Sequence, residues 1–592
     1  MKKRTALKTA SLTMAAAMLA ACGGTAANTA VSTTATAETG DTTAAAAVEN
    51  DGYNADLTDI IPEQTVTLTA YSQLANSSGE MTGWFAQLLK EKFNVKINII
   101  NDADGVFATR MESGNLGDIV IIANSDNYKE AYSKGMLLDW NEDDLVTDYA
   151  PYISANMQTA LEKNAAISDG TVYGFGYDVG SSAEDLTGFT YNWGTRWDYY
   201  QELGYPEVNT LDDFADMLIE MQKAHPTDEN GKKNYAVSLF SDWDGSMAMF
   251  PKAMVSSYYG YDEFGMGFWD PEKQVYISSV GKDSPYVEGL RFYNKLYQNG
   301  ALDPDSETQG YDGCSEDYRN GNAFFCPFNF LGTEMYNSVE RLASGTAMFP
   351  VVPTQARTVN NGQNIYGGSD RIWCIGSQSE YPELCMAIIN WLSTPEGKLD
   401  DLYGPKGVCW DYDADGHTVF TELGRACITD GNTQMADGYS GAYKDGCDQM
   451  NNTTWSRDAK NPDSNGDDYN WNHWPSNKEA AASEIEQDWR TKVGADSIDD
   501  YMASTNYMVT PGSMYSMTPK SDELTVIWNQ VGDCIKTYSW KAMFASSDVE
   551  FDSIIDEMVA KAQSYGSDQC DEFMQNEAAL RKTAEDNAKA GK

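Results

Sequence analysis

The sequence predicts an α/β protein built on a parallel sheet, with more than one compact lobe. Residues 66–122 alternate strand-like and helix-like apolar patterns in the order strand, helix, strand, helix, strand. Within one sheet that order requires parallel pairing and right-handed crossovers. The chain has 592 residues, 42% hydrophobic and 12% aromatic, enough for two or three cores. Beyond the first two dozen residues no apolar run approaches the roughly 20 residues of a membrane-spanning helix.

The chain opens with Lys2, Lys3, Arg4 and Lys8, then residues 6–21, mostly small or apolar. This run is too short for a permanent membrane span and fits a secretory signal. Leu19-Ala20-Ala21-Cys22 resembles the lipobox of bacterial lipoproteins, whose cysteine is lipidated and becomes the first mature residue. The resemblance implies a signal peptide over 1–21, a palmitate-type lipid on Cys22, and an exported protein anchored to the outer face of the cell membrane. The alternative is a chance cysteine after an ordinary signal. Residues 22–64 are rich in Thr and Ala and nearly free of large apolar side chains, a composition that favours a flexible tether.

Order begins with Val66, Leu68 and Ala70 alternating with Thr67 and Thr69, a strand ending at Tyr71-Ser72. Trp84, Phe85, Leu88, Leu89 and Phe93 share one helical face, Val95–Ile100 reads as a second strand, a short helix spans Val106–Met111, and Ile119–Ile122 reads as a strand buried on both faces. Ligands of such sheets sit outside the carboxyl ends of strands, which makes Tyr71 and Asn124 candidates. Asn124 is equally placed to cap a helix. Further on, Tyr235–Phe240 reads as a strand, and Thr210-Leu-Asp-Asp213 resembles a capping box with Asp in place of Glu. Ser284-Pro285 is an N-cap with proline at the first helical position. Ile372–Ile375 follows a glycine turn as a strand, Leu384–Leu392 is an amphipathic helix, residues 435–480 are irregular, and the end is helical.

Composition excludes several functions. Lys and Arg number 41 against 89 Asp and Glu, a formal charge of −48 with a pI near 4.2. Such a surface repels phosphate backbones, so nucleic acid is not a partner. The ten cysteines contain no C-x-x-C pair and only three histidines accompany them, too few ligands for a zinc site and little to build a histidine-based catalytic triad.

Taken in order, several stretches resemble the family 1 extracellular solute-binding proteins, lipoprotein receptors of ABC importers for sugars and oligosaccharides. They are the lipobox, the strand ending at Tyr71, Gly135–Trp140, Asp169–Gly174, Arg196-Trp-Asp198, Leu211–Phe214, Asn299–Pro304, Pro350–Pro353 and Trp391–Gly397. The resemblance implies a two-lobed periplasmic-binding-protein-like fold of type II, with hinged lobes joined by crossing strands. The crossings would lie near 177–190 and 366–371. Lobe 1 would be 65–180 plus 371–430 and lobe 2 185–365 plus 431–592. The implied partners are an oligosaccharide ligand, the transmembrane subunits of an ABC permease, and the membrane through the lipid. A monomer without organic cofactor is expected, and no catalytic residue.

A sugar presents apolar C–H faces and a rim of hydroxyls, so its site pairs aromatic rings with carboxylate, amide and guanidinium groups. Candidates on predicted loops and crossings are Tyr177, Asp178, Trp243, Asp244, Asn329, Asp370, Arg371 and Trp410, with Trp471 and Trp474 as further loop tryptophans. For each ring, core packing is the competing reading, and Trp373, mid-strand, is assigned to the core. Asp411, Asp413, Asp415 and Glu422 match the D-x-D-x-D-G-x5-E calcium loop. A hairpin turning at Ala414-Asp415-Gly416 competes with it. A peptide or other polar solute is the alternative ligand on the same fold. A surface glycoside hydrolase with paired carboxylates is the alternative from another class.

Overall fold

The structure is a computed structural model that describes residues 53–590 apart from 55, 76, 103–104, 183–185, 437, 448–449, 451–454 and 479–481. The segment expected to be a signal and Cys22 lie outside the described residues.

The first lobe is organised by a six-stranded sheet in the order Gly79–Glu80, Val95–Asn101, Val66–Ser72, Ile119–Ile122, Ile372–Ile375, Gly174–Gly176. Val66–Ser72 pairs in parallel with both Val95–Asn101 and Ile119–Ile122, as the strand-helix pattern predicts. Ile372–Ile375 returns antiparallel beside Ile119–Ile122 and Gly174–Gly176. Alternation along these strands divides two cores. Leu68, Ala70, Ile119, Ile121, Trp373 and Ile375 face a large core under the helices Gly83–Phe93 and Pro382–Ser393. Tyr71, Val120, Ile122, Ile372 and Cys374 face a smaller one with Phe107 and Tyr128. Helices therefore cover both faces of the sheet, which explains why all four residues of Ile119–Ile122 are buried.

The second lobe surrounds a separate core around the antiparallel strands Phe325–Phe328, Tyr191–Arg196 and Met348–Pro350. The helix Leu211–Ala224 starts at a full capping box, with Asp213 donating its backbone N–H to Thr210 Oγ1 at 3.1 Å and accepting from Thr210 N at 3.0 Å. Asp in place of Glu still makes both bonds of the box. Residues 236–240 are buried, but the strand expected over 235–240 is reduced to single bridges, Tyr235 to Ala323 and Val237 to Leu302. Their backbone bonds divide between residues 301–303 and 322–325 rather than running along one neighbour. The helices Asp522–Met543, Asp548–Tyr565 and Ser567–Lys589 close this lobe.

The boundary expected at residue 430 is corrected. Met435, Tyr443, Met450, Trp455, Tyr469 and Trp474 pack in the first lobe's core, and only from Ile485 onward does the chain join the second. The physical reason is aromatic: Tyr443 stacks on Trp84 at 5.8 Å, and Trp474 packs edge-on against Tyr403 at 5.4 Å.

The crossing segments pair with each other. Tyr177 N donates to Arg371 O at 2.9 Å and Ser369 N to Tyr177 O at 2.7 Å. Gly368 has φ +74°, and a Cβ there would collide with the Tyr177 carbonyl. The close approach therefore requires glycine. Buried Lys163 donates to Gly368 O and fixes the second crossing. A third segment joins them, with Ser456 N donating to Val179 O at 2.9 Å.

Candidate functional site

Between the two lobes lies a cavity of about 980 Å³. The first crossing contributes Tyr177, Asp178 and residues 187–190. The second lobe contributes Asn329, Phe330, Glu334 and Trp489, and the first lobe contributes Lys398, Arg425, Arg457, Asp458, Trp471 and His473.

Each wall is held by identifiable bonds. Asp458 accepts from Gly188 N at 2.7 Å and from Asn470 Nδ2 at 2.8 Å, tying the crossing to the irregular loop that carries Trp471. Trp471 N donates to Tyr403 OH at 3.1 Å, and its ring lies 5.8 Å from Phe420. The helix Glu422–Thr429 begins at the Thr421 cap and docks where a Cβ on Gly424 would collide with the Cys409 carbonyl. That seating places the Arg425 guanidinium 5.2 Å from the Phe420 ring centre and 5.9 Å from that of Trp471. On the opposite wall Asn329 donates to Glu334 Oε1 at 3.0 Å and accepts from Phe330 N at 2.8 Å, fixing the Phe330 turn.

Charged contacts cross the cleft. Arg457 Nη1 lies 3.8 Å from Glu334 Oε1. His473 bridges Asp468 at 2.8 Å through Nδ1 and Asp499 of the second lobe at 2.9 Å through Nε2. Burial works against the imidazolium, but hydrogen bonds and charge from both carboxylates outweigh it and hold its pKa up at about 10. Burial likewise opposes the charge on Asp499, and the His473 partner outweighs it, so that carboxyl sits below its ordinary value. Burial pushes the Asp178 carboxyl up, only partly offset by Ser456. Asp178 also sits at φ +68°, a left-handed backbone that Asp tolerates better than most residues. In a chain of charge −48, Lys398, Arg425, Arg457, Lys478 and Arg490 gather around this cavity and nearly balance the carboxylates that line it with them.

The sequence-predicted residues divide as follows. Tyr177, Asp178 and Asn329 line the cavity. Trp243 is 41% exposed, stacked on Tyr311 at 4.6 Å, with its ring 6.1 Å from Phe330, beside the cavity rather than in its wall. Six expectations are corrected, because core packing or backbone capping already uses the side chain or because it lies off the cavity. Tyr71 is fully buried against Phe107 on the inner face of its strand. Asn124 caps the helix Ser125–Ser133, accepting from Asn127 N at 2.9 Å. Asp244 accepts from Met249 N at 2.7 Å and Trp540 Nε1 at 2.8 Å. Trp410 is fully buried and donates to Asp400 at 3.1 Å. Asp370 accepts from Met517 N at 3.4 Å, away from the cavity lining. Arg371 lies 5.8 Å over the Tyr177 ring, behind the cavity wall.

The calcium ligands are not brought together. Trp410–Tyr412 and Thr418–Phe420 form a hairpin. Asp413 accepts from Asp415 N and His417 N, both at 2.9 Å, Asp411 accepts from Tyr412 N at 2.8 Å, and Glu422 opens the next helix. Among the described residues no three His, Cys, Asp or Glu side chains converge on a metal position. The hairpin reading of Ala414-Asp415-Gly416 is the one observed.

Sequence reasoning passed over Phe330, Glu334, Arg425, Arg457, Asp458 and His473. The available signal was compositional: basic and aromatic residues clustered in an Asn- and Asp-rich stretch of an acidic chain.

The family model of bacterial extracellular solute-binding proteins matches residues 83–408, more than half of the chain. The chain belongs to that family. Among curated proteins none matches the sequence of this solute-binding protein. Its fold is similar to that of the alginate-binding protein AlgQ2 without calcium ion, at TM-score 0.56 and 17% identity, covering 88% of this chain and 99% of that one. An extracellular solute-binding protein from Bifidobacterium longum subsp. infantis follows at TM-score 0.53 and 16% identity, covering 88% and 98%. The S. pneumoniae ABC-transporter substrate-binding protein FusA in complex with kestose matches at TM-score 0.53 and 14% identity, covering 88% and 99%. These likenesses agree with the two-lobed fold described above, with the cavity between the lobes.

Proposed function

We propose that this solute-binding protein captures an oligosaccharide between its lobes and presents it, without altering it, to the transmembrane subunits of an ABC permease. The observation that carries this is the cavity itself. It has a volume of about 980 Å³ and room for several sugar rings, with partly exposed Tyr177, Phe330 and Trp471 set among amide, carboxylate and guanidinium groups from both lobes. Structural neighbours named for alginate and crystallised with kestose support the carbohydrate reading. Lipidation of Cys22 would hold a monomeric receptor at the outer face of the membrane, and the Thr- and Ala-rich residues before Tyr53 would give it reach; the tether expected to run to residue 64 is shortened because Tyr53, Leu57 and Ile60 pack against the first lobe. The non-enzymatic character agrees with the family. Isothermal titration against a panel of oligosaccharides tests the proposal. Micromolar or tighter binding to at least one glycan, with the glycan recovered intact, is expected. Silence across the panel together with a rise in melting temperature on adding peptides would transfer the site to a peptide ligand. Release of reducing ends would transfer it to a hydrolase.

A further inference from the structure

Resting on the oligosaccharide reading above and narrowing it, we infer that the cleft takes a glycan bearing a carboxylate, with Arg425 as the residue that receives it. The cations around the cavity are not equivalent. Arg490 holds Glu486 through two nitrogens at 3.1 and 2.6 Å, Arg457 faces Glu334 at 3.8 Å, and His473 lies between Asp468 and Asp499. Arg425 has no such partner. Its Nη1 donates to the neutral amide oxygen of Asn477 at 3.0 Å, and its Nε and Nη2 donors meet no acceptor among the described residues. Its planar group lies against Phe420 and Trp471, half-buried, in the cavity wall. Burial disfavours its charge with no acid opposing that effect.

A guanidinium drawn partly out of water without a counter-charge is an unfavourable arrangement that a ligand can relieve. Its free Nε and Nη2 donors lie on one edge that matches the parallel oxygens of a carboxylate, and the neighbouring Trp471 ring offers a face to the sugar that carries it. The overall charge of −48 does not forbid an acidic ligand. Beyond about 8 Å that field is screened at physiological salt, and the contact pair decides affinity while the field mainly lowers the association rate.

Titration calorimetry on the whole chain with matched pairs tests this: trigalacturonate against its carboxyl-reduced form, and sialyllactose against lactose. In at least one pair the acid is expected to bind about tenfold tighter than its neutral counterpart, the scale of one charge-assisted fork. Arg425→Gln narrows that preference to about twofold or less, and Arg425→Lys keeps part of it. An unchanged thermal unfolding midpoint shows that the variants fold. Equal affinity within both pairs, or a preference that survives Arg425→Gln, overturns the inference and leaves the broader function standing. Binding confined to neutral glycans of the wider panel does the same. Silence from every glycan overturns both.

Discussion

The two halves of the first lobe are built on opposite principles. Residues 66–122 form a sheet in which Val66–Ser72 and Val95–Asn101 pair over seven consecutive positions, and the backbone satisfies itself. Residues 398–478, which supply the lobe's wall of the cleft, have little such pairing. There side chains satisfy the backbone: Asp467 accepts from Thr418 N at 2.7 Å, Asp400 from Lys406 N at 2.8 Å, and Tyr403 OH donates to Tyr469 O at 2.7 Å. Polar side chains already converge in such a segment, and some of them face the cavity. Regular pairing concentrates stability, and irregular packing supplies the variety of groups that recognition needs.

The sharpest way to break the contrast is at its stable end. Trp373→Ala removes a fully buried ring from the centre of the sheet's larger core and is expected to cost about 3–5 kcal/mol, read as a fall in the urea midpoint. At the irregular end the contact at stake is electrostatic. The His473 pKa, raised in the folded state from an ordinary 6.5 to about 10, adds stability that is complete below pH 6.5 and is lost as pH rises through 10. Thermal unfolding should therefore weaken by about 2–4 kcal/mol across that window. His473→Gln should be less stable at neutral pH and flat where the parent declines.

Trp471→Ala separates recognition from stability. Its ring is only partly buried, so unfolding should shift by about 1 kcal/mol or less while oligosaccharide affinity falls about tenfold in titration. The smallest effect runs the other way. Burial raises the Asp400 carboxyl to about 7, so its charge opposes folding: the contribution is neutral below pH 3.8 and grows unfavourable as pH rises towards 7. Asp400→Asn keeps the oxygen that accepts from Lys406 N and Trp410 Nε1. A gain of about 1 kcal/mol at pH 8, absent at pH 4, is expected in denaturant titrations.

The same division governs what could be read from the sequence. Strands at 66–72, 95–101 and 119–122, the helix Gly83–Phe93 and the capping box at Thr210 follow from local periods and caps, and all stand as read. Trp373 is legible as core because it sits mid-strand. Trp410 reads as a loop residue because its three-residue strand is too short to show a period, yet it is fully buried. Asp244 sits among residues typical of a sugar site, but its partners Met249 and Trp540 are supplied by packing. Arg457 carries no local mark at all, since its partner Glu334 comes from the other lobe.

By itself the sequence determined the α/β class and the parallel order of the first strands, because each is encoded by neighbours within a few residues. The tertiary structure decided where the lobe boundary falls, which aromatic rings are left for a ligand, and that the acidic repeat at Asp411–Glu422 becomes a hairpin. Those outcomes depend on contacts between residues distant along the chain, whose competition for burial and for hydrogen-bond partners is resolved only when the lobes pack.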